Sequence, residues 1–251
     1  MPGRPARLAS NRVSTRALVL RRTVVGDADL MVQLFTDELG ALSATARGAR
    51  RPSSKLGALE PMHTLVVGLD VRQGNDVAKL GEARIEVARV KLLETQAALD
   101  AAFKALVWVR SVLHPLHPER GVFALLLRLL DSLERGAPDP DTQLAAAGLG
   151  MLTELGYQLA LDACVRCGRA CPANAPAWVD PALGGLVCRD CESAPTRGGF
   201  LIPARLRHLM MILQRGEETT LARDEQRIAL EVVEATFRAH ALRPQRESAP
   251  R

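Results

Sequence analysis

Aromatic side chains are scarce in this chain, 3% of 251 residues, and Phe35 is the only one among the first 90. A surface that holds unpaired bases by ring stacking has almost no material in that region. Long apolar runs are missing as well. The densest stretch, Val122 to Leu130, is broken by Arg128, and nothing approaches the ~20 apolar residues of a membrane span. No Gly-x4-Gly-Lys occurs, so a Walker-type NTPase has no support. Gly148-Leu149-Gly150 starts like a dinucleotide loop, but Thr153 stands at the third glycine position and no strand precedes it. Asp27 and Asp29 sit in a hairpin turn, where acids are common, and no nucleophile stands beside a base. We therefore expect no enzyme. No secretory signal with an apolar core is seen at the N-terminus, which favours a cytoplasmic protein and argues against disulfides.

Acids are absent before Asp27, and the charge is lopsided. Residues 1 to 55 hold ten lysines and arginines against four acids, a local +6; the other 23 basic and 24 acidic residues leave −1. The excess includes Arg21, Arg22, Arg47, Arg50, Arg51 and Lys55. Such an imbalance points to a polyanionic partner, nucleic acid before membrane, because no amphipathic basic helix accompanies it. The arginine-rich start also resembles an organellar transit peptide. Against that, Val13 to Leu20 reads as a strand that a fold would keep.

Cysteine is used in one pattern. Cys164-x2-Cys167 and Cys188-x2-Cys191 are two knuckles with twenty residues between the inner cysteines, a spacing that reads as a tetrahedral zinc site. Between them, Trp178-Val179 suits a short strand, Asp180-Pro181 a turn, and Gly184-Gly185 a bend that returns Cys188 towards Cys164. Four thiolates leave no open position on zinc, so the site is structural, one ion per chain. Catalytic zinc of the deaminase type fails: His117-Pro118-Glu119 fits the first half, but Ala163 and Val187 stand where a proline must precede each knuckle. Cys171 reads as a spare thiol. His114 and His117 form an H-x2-H that can hold a second metal, or more simply end one helix and lead into the next.

The periodicity supplies an architecture. Val13–Arg22, Leu30–Phe35, Leu42–Ala46, Leu65–Val71 and Val77–Val87 read as five short strands, with a turn at 73–76 and a short helical turn between Pro52 and Pro61. This suits a small barrel of the OB type. Beyond Ala88 the period becomes helical. One long helix carries Leu92, Leu99, Phe103, Leu106 and Leu113 on one face, and a second carries Val122, Leu126, Leu129, Leu130 and Leu133. A third is capped by Asp141, with Ala145 to Gly148 letting a neighbour approach closely. Helices over Pro203–Arg215 and Leu221–Ala241 follow the zinc loop. The reading is an α+β protein: a loose basic arm over 1–11, a five-stranded OB-type barrel over 12–88, a helical domain over 89–243 interrupted by a four-cysteine zinc loop over 160–198, and a frayed tail over 244–251.

Together, Gly26-Asp27-Ala28-Asp29, the Leu39-Gly40 to Ala46-Arg47-Gly48-Ala49-Arg50 segment, and the cysteine frame with Gly184-Gly185 are fairly specific. On these the chain resembles the RecO family of bacterial recombination mediators, across most of residues 12 to 240. The resemblance implies an OB-fold that binds single- and double-stranded DNA and anneals complementary strands. It also implies two partners, RecR and the C-terminal tail of single-stranded DNA-binding protein, a role in loading the recombinase on coated strands, and a bacterial, nucleoid-associated location. Zinc belongs to only part of that family; here four matching cysteines are kept. Family DNA contacts map onto Arg21, Arg22, Arg47, Arg50, Arg51 and Lys55. Arg110 and Arg128, set among leucines, are expected to receive the acidic, apolar-ended tail, or else to snorkel to solvent. With one aromatic in the barrel, DNA binding must come mostly from phosphates. The alternative is a zinc-ribbon adaptor associated with RNA or transcription, without annealing activity.

Overall fold

The computed structural model describes residues 10–52, 54–56, 59–72, 77–191 and 199–241. Five strands, β1 (Ser10–Val25), β2 (Asp29–Thr36), β3 (Gly40–Ala46), β4 (Thr64–Arg72) and β5 (Val77–Val87), close into a barrel in the order β1-β2-β3-β5-β4. Neighbours are antiparallel except β3 and β5, whose parallel pairing closes the Greek key of an OB-type barrel. Strand alternation explains the interior: Leu30, Val32 and Leu34 of β2 and Leu42, Ala44 and Ala46 of β3 meet Ala17, Val19, Leu65, Val67 and Leu69 in one core. A bulge between Val19 and Arg21 breaks the β1–β2 register and re-aims the rest of β1.

Some expectations change. β1 begins at Ser10, so the last two residues of the expected loose arm belong to a strand. Residues 1–9, the turn at 73–76, the end of the zinc loop at 192–198 and the expected tail over 244–251 lie outside the described residues. Between Pro52 and Pro61 the described residues form no helix. Successive turns run instead, with the Arg51 N–H on the Gly48 carbonyl and the Ser54 N–H on the Arg51 carbonyl, and Pro52 disfavours a helical conformation at Arg51. The long helix from Leu92 is divided into a 3₁₀ turn, Lys91–Glu94, an extended Thr95, and α1 (Gln96–Val112). Phe103 is then 47% exposed, because α1 buries its alanine face (Ala98, Ala101, Ala102, Ala105) with Trp108, Val109 and Val112.

The chain forms two compact units, each described by itself. The first joins residues up to 95 with 113–135: the barrel, the 3₁₀ turn and α2 (Arg120–Glu134). Phe35 meets Phe123 of α2 edge to face at 5.1 Å. The Leu116 N–H donates to the Ala41 carbonyl, and a Cβ on Gly40 (φ +70°) would lie 2.0 Å from the His117 carbonyl oxygen, so both the turn and the approach require glycine. Arg89, 1% exposed, binds Asp131 of α2, the Met62 carbonyl and Thr64 Oγ1.

The second unit holds α1, α3 (Pro140–Glu154), a small sheet, α4 (Ala204–Gln214) and α5 (Arg223–Ala239). Helix α3 starts two residues earlier than the sequence suggests: Asp139 is the cap residue and Pro140 follows at the first helical position, where its missing N–H costs nothing. Asp139 accepts from Thr142 Oγ1 and Gln226 Nε2. Gly148 packs so tightly that an added Cβ would fall 2.6 Å from Val233 and 2.9 Å from Trp108. Trp108 in turn stacks on Phe237 at 5.3 Å. No described helix is long and apolar enough to cross a membrane.

Candidate metal centre and cationic surface

The small sheet builds the cysteine site. Strands β6 (Ala160–Cys164), β7 (Ala177–Asp180), β8 (Gly185–Val187) and β9 (Phe200–Ile202) lie in the order β6-β8-β7-β9. Asp180 Oδ1 takes the N–H groups of Ala182 and Leu183 and closes the turn between β7 and β8. Gly184 has φ +76°, and an added Cβ on Gly185 would lie 2.4 Å from the Ala160 carbonyl oxygen, so β8 can lie against β6 only with glycine there. This pairing carries Cys188, just past β8, to Cys164 at the end of β6.

Each knuckle is a backbone turn. The Gly168 N–H donates to the Cys164 carbonyl and the Cys191 N–H to the Cys188 carbonyl. The four sulfurs of Cys164, Cys167, Cys188 and Cys191 all lie within 4.8 Å of one another. Cys167 and Cys188 are 3.7 Å apart, close to the ~3.8 Å edge of a tetrahedron with 2.3 Å metal–sulfur bonds. Cys171 stays outside this group, its Sγ turned to the Pro172 carbonyl. The charges explain what the cluster needs. The Cys188 N–H, 3.4 Å from Cys164 Sγ, holds the Cys164 thiol down to about 6 against the opposing effect of burial. Sulfur contacts with Cys188 and Cys167, joined by burial, push Cys191 up to about 12. Backbone donors favour thiolate in the cluster while crowded sulfurs oppose further ionisation, and a divalent cation would let all four corners ionise. The chemistry of the donor set fits a soft, four-coordinate ion with no open position.

A residue that sequence reasoning passed over holds this loop from behind. Arg207 of α4 is buried, and its guanidinium donates to the carbonyls of Leu161, Cys171 and Pro172. Nothing in the helical periodicity marks it, because it occupies a position where a leucine would serve the pattern equally well. Outside the cluster, Arg166 reaches the Cys191 carbonyl at 3.0 Å, and Arg169 pairs with Asp190. His117 lies 3.5 Å from Glu119, and among the described residues the histidines form no group with metal-ligand spacing.

The six cations singled out on the barrel are all exposed. The structure brings the turn after β3 against the β1–β2 hairpin. Arg50 donates from its side chain to the Asp27 carbonyl at 3.0 Å and from its N–H to the Ala28 carbonyl. Asp29 Oδ1 accepts the Gly48 N–H at 2.8 Å. Arg47, Arg50 and Arg51 are thereby gathered at one end of the barrel. Arg21 and Arg22 lie further down β1, opposite Gln33 and Val32. As neighbours on a strand they leave opposite faces. Arg22 also pairs with Glu60, which offsets part of its charge. Lys55 is exposed later in the connection. Arg128 is exposed and Arg110 half-buried.

An OB-type barrel followed by helices that carry a closed four-thiolate loop defines a class of binding protein with a metal-ready structural site. Comparison with known proteins makes this specific. The family model of the recombination protein O N terminus matches residues 10–88, and that of its C terminus matches residues 108–249. A DNA repair protein RecO from Rubrobacter xylanophilus is 33% identical over 245 residues, covering 90% of this chain and 91% of that protein. Those from Anaeromyxobacter sp. and Myxococcus xanthus are 34% and 33% identical, over 75% and 84% of this chain and 74% and 84% of theirs. The chain belongs to the RecO family of DNA repair proteins.

Proposed function

We propose that this chain is a recombination mediator that binds single- and double-stranded DNA through phosphates, anneals complementary strands and helps load the recombinase onto coated single strands. Its partners in that work are RecR and the tail of single-stranded DNA-binding protein, and it performs no bond chemistry of its own. The observation that carries the reading is the anchoring of Arg50 on the Asp27 carbonyl. It gathers the arginines after β3 at the β1–β2 hairpin of an OB-type barrel in a family of DNA repair proteins. Phosphate contacts of this kind position a strand without reading its sequence, which suits a protein that must let two strands find their register. Zinc is the ion we assign to the cysteine site, bound by Cys164, Cys167, Cys188 and Cys191. Its thiolate ligation would stabilise the loop over 160–198.

An annealing assay with complementary oligonucleotides, bare and coated with single-stranded DNA-binding protein, tests the proposal. Accelerated pairing in both cases is expected. A chain that binds the strands and leaves the pairing rate at its spontaneous value would overturn it.

A further inference from the structure

The end of the β1–β2 hairpin carries two apolar side chains in the open. Val24 is 57% and Val25 48% exposed. The ladder runs to its last rungs there, Val24 opposite Leu30 and Val25 opposite Asp29, and the chain turns at Gly26 with φ +60°. A Cβ at Gly26 would meet nothing within 4 Å, so the space beside that residue is open. Successive residues of a strand point to opposite faces, and the ribbon tip therefore carries one exposed valine on each face, with Asp29 opposite Val25. A patch that docks on another protein's surface needs only one apolar face; a ribbon with a valine on each face is shaped to enter a slot. Valine is also stiff at χ1 and loses little freedom on insertion.

The surroundings decide what that slot is. Arg21 and Arg22 lie just before the valines on β1, and Arg50 is fastened to the carbonyls of Asp27 and Ala28 in the turn itself. Arg47 and Arg51 stand on the same turn as Arg50. Cations that hold phosphates on either side of an apolar tip present it to bases, and apolar side chains elsewhere enter base steps as wedges. Of the two acids at the tip, Asp29 is occupied by the Gly48 N–H. Asp27 is exposed and disfavours close approach of a phosphate to that side of the turn. We infer that Val24 and Val25 form a wedge that enters between two adjacent bases of a bound nucleic-acid strand, giving this barrel the base contact that its missing aromatics do not. The inference rests on the DNA-binding reading above and adds a component of affinity that does not depend on salt.

The test compares the full chain with Val24→Ser/Val25→Ser, using single-stranded oligonucleotides that carry 2-aminopurine, over a series of salt concentrations. In the parent, 2-aminopurine fluorescence should rise on binding as its stacking is broken. In the variant the rise should vanish and affinity should fall about tenfold at every salt concentration, as expected for two partly exposed valines losing their burial. The slope of log affinity against log salt should stay the same. Equal affinity and equal fluorescence in both proteins would overturn the wedge, as would a parent that binds with no fluorescence change, or a loss of affinity that comes with a flatter slope. A variant impaired only in binding a protein would assign the tip to that protein instead and also overturn it. A parent that binds no oligonucleotide at all fails the DNA-binding reading first. If the double variant melts early, Val24→Thr/Val25→Thr keeps the branched shape and serves the same comparison.

Discussion

Cys164 and Cys191 sit in one cluster and are shifted in opposite directions, one lowered by a backbone N–H, the other raised by sulfur neighbours. Four sulfurs within 4.8 Å cannot all carry charge without a cation between them. Replacing one corner therefore leaves a three-thiolate site with an open position. We expect Cys188→Ser to lose most of its zinc on dialysis against a mild chelator, and Cys171→Ser to keep about one ion per chain, as elemental analysis would read. The opposite pattern would place Cys171 among the ligands. The spacing of the knuckles made the four clustered cysteines legible in the sequence. Arg207 was not legible, because a buried guanidinium that serves three carbonyls is recognised only when the loop is folded onto it.

At the scale of the element, the 3₁₀ turn that a break at Thr95 separates from α1 is capped at its start by Glu134, the last residue of α2. Its carboxylate accepts the N–H groups of Val90, Lys91 and Leu92, donors that a helix start leaves unpaired. Burial pushes the Glu134 carboxyl up, but the three N–H groups together outweigh it and hold it below the usual carboxylate range. A carboxyl lowered in the folded state adds stability that is present above its unfolded value, near 4.3, and that is lost as pH falls through the folded value. Glu134→Gln should accordingly lower the urea midpoint at pH 7, and the gap to the parent should narrow as pH falls below about 4.3. A gap that stays constant over that range would mean that the charge plays no part. Sequence periodicity ran through this break because Leu92 and Leu99 share a helical face by spacing alone. The carboxylate that caps the separate 3₁₀ turn comes from 42 residues away.

For the molecule as a whole, charge and metal are set apart along the chain: the cations at the end of the barrel, the thiolates in the second unit. This makes their effects separable. If three phosphate contacts come from Arg47, Arg50 and Arg51, their replacement by alanine should make the slope of log affinity against log salt shallower by about 2.7 on duplex and about 2 on single strands. Annealing should weaken with it, and zinc content should not change. A triple variant with the parent's slope and annealing rate would place the DNA elsewhere on the protein.

The sequence by itself determined the strand content and alternation of the barrel, the four cysteines as one group, and the basic character of the N-terminal region. Each depends on a local rule, a period of two, a ligand spacing or a count of charges, that operates within a few residues or within one loop. Only the tertiary structure decided that Phe103 faces outward while alanines pack, that Asp139 stands at the N-cap of α3, and that Arg22 pairs with Glu60. It alone set Arg50 against the Asp27 carbonyl, leaving Val24 and Val25 in the open beside it. Those outcomes depend on which distant segment fills the space beside a residue, and that competition between segments for the same surface is settled only when the whole core closes.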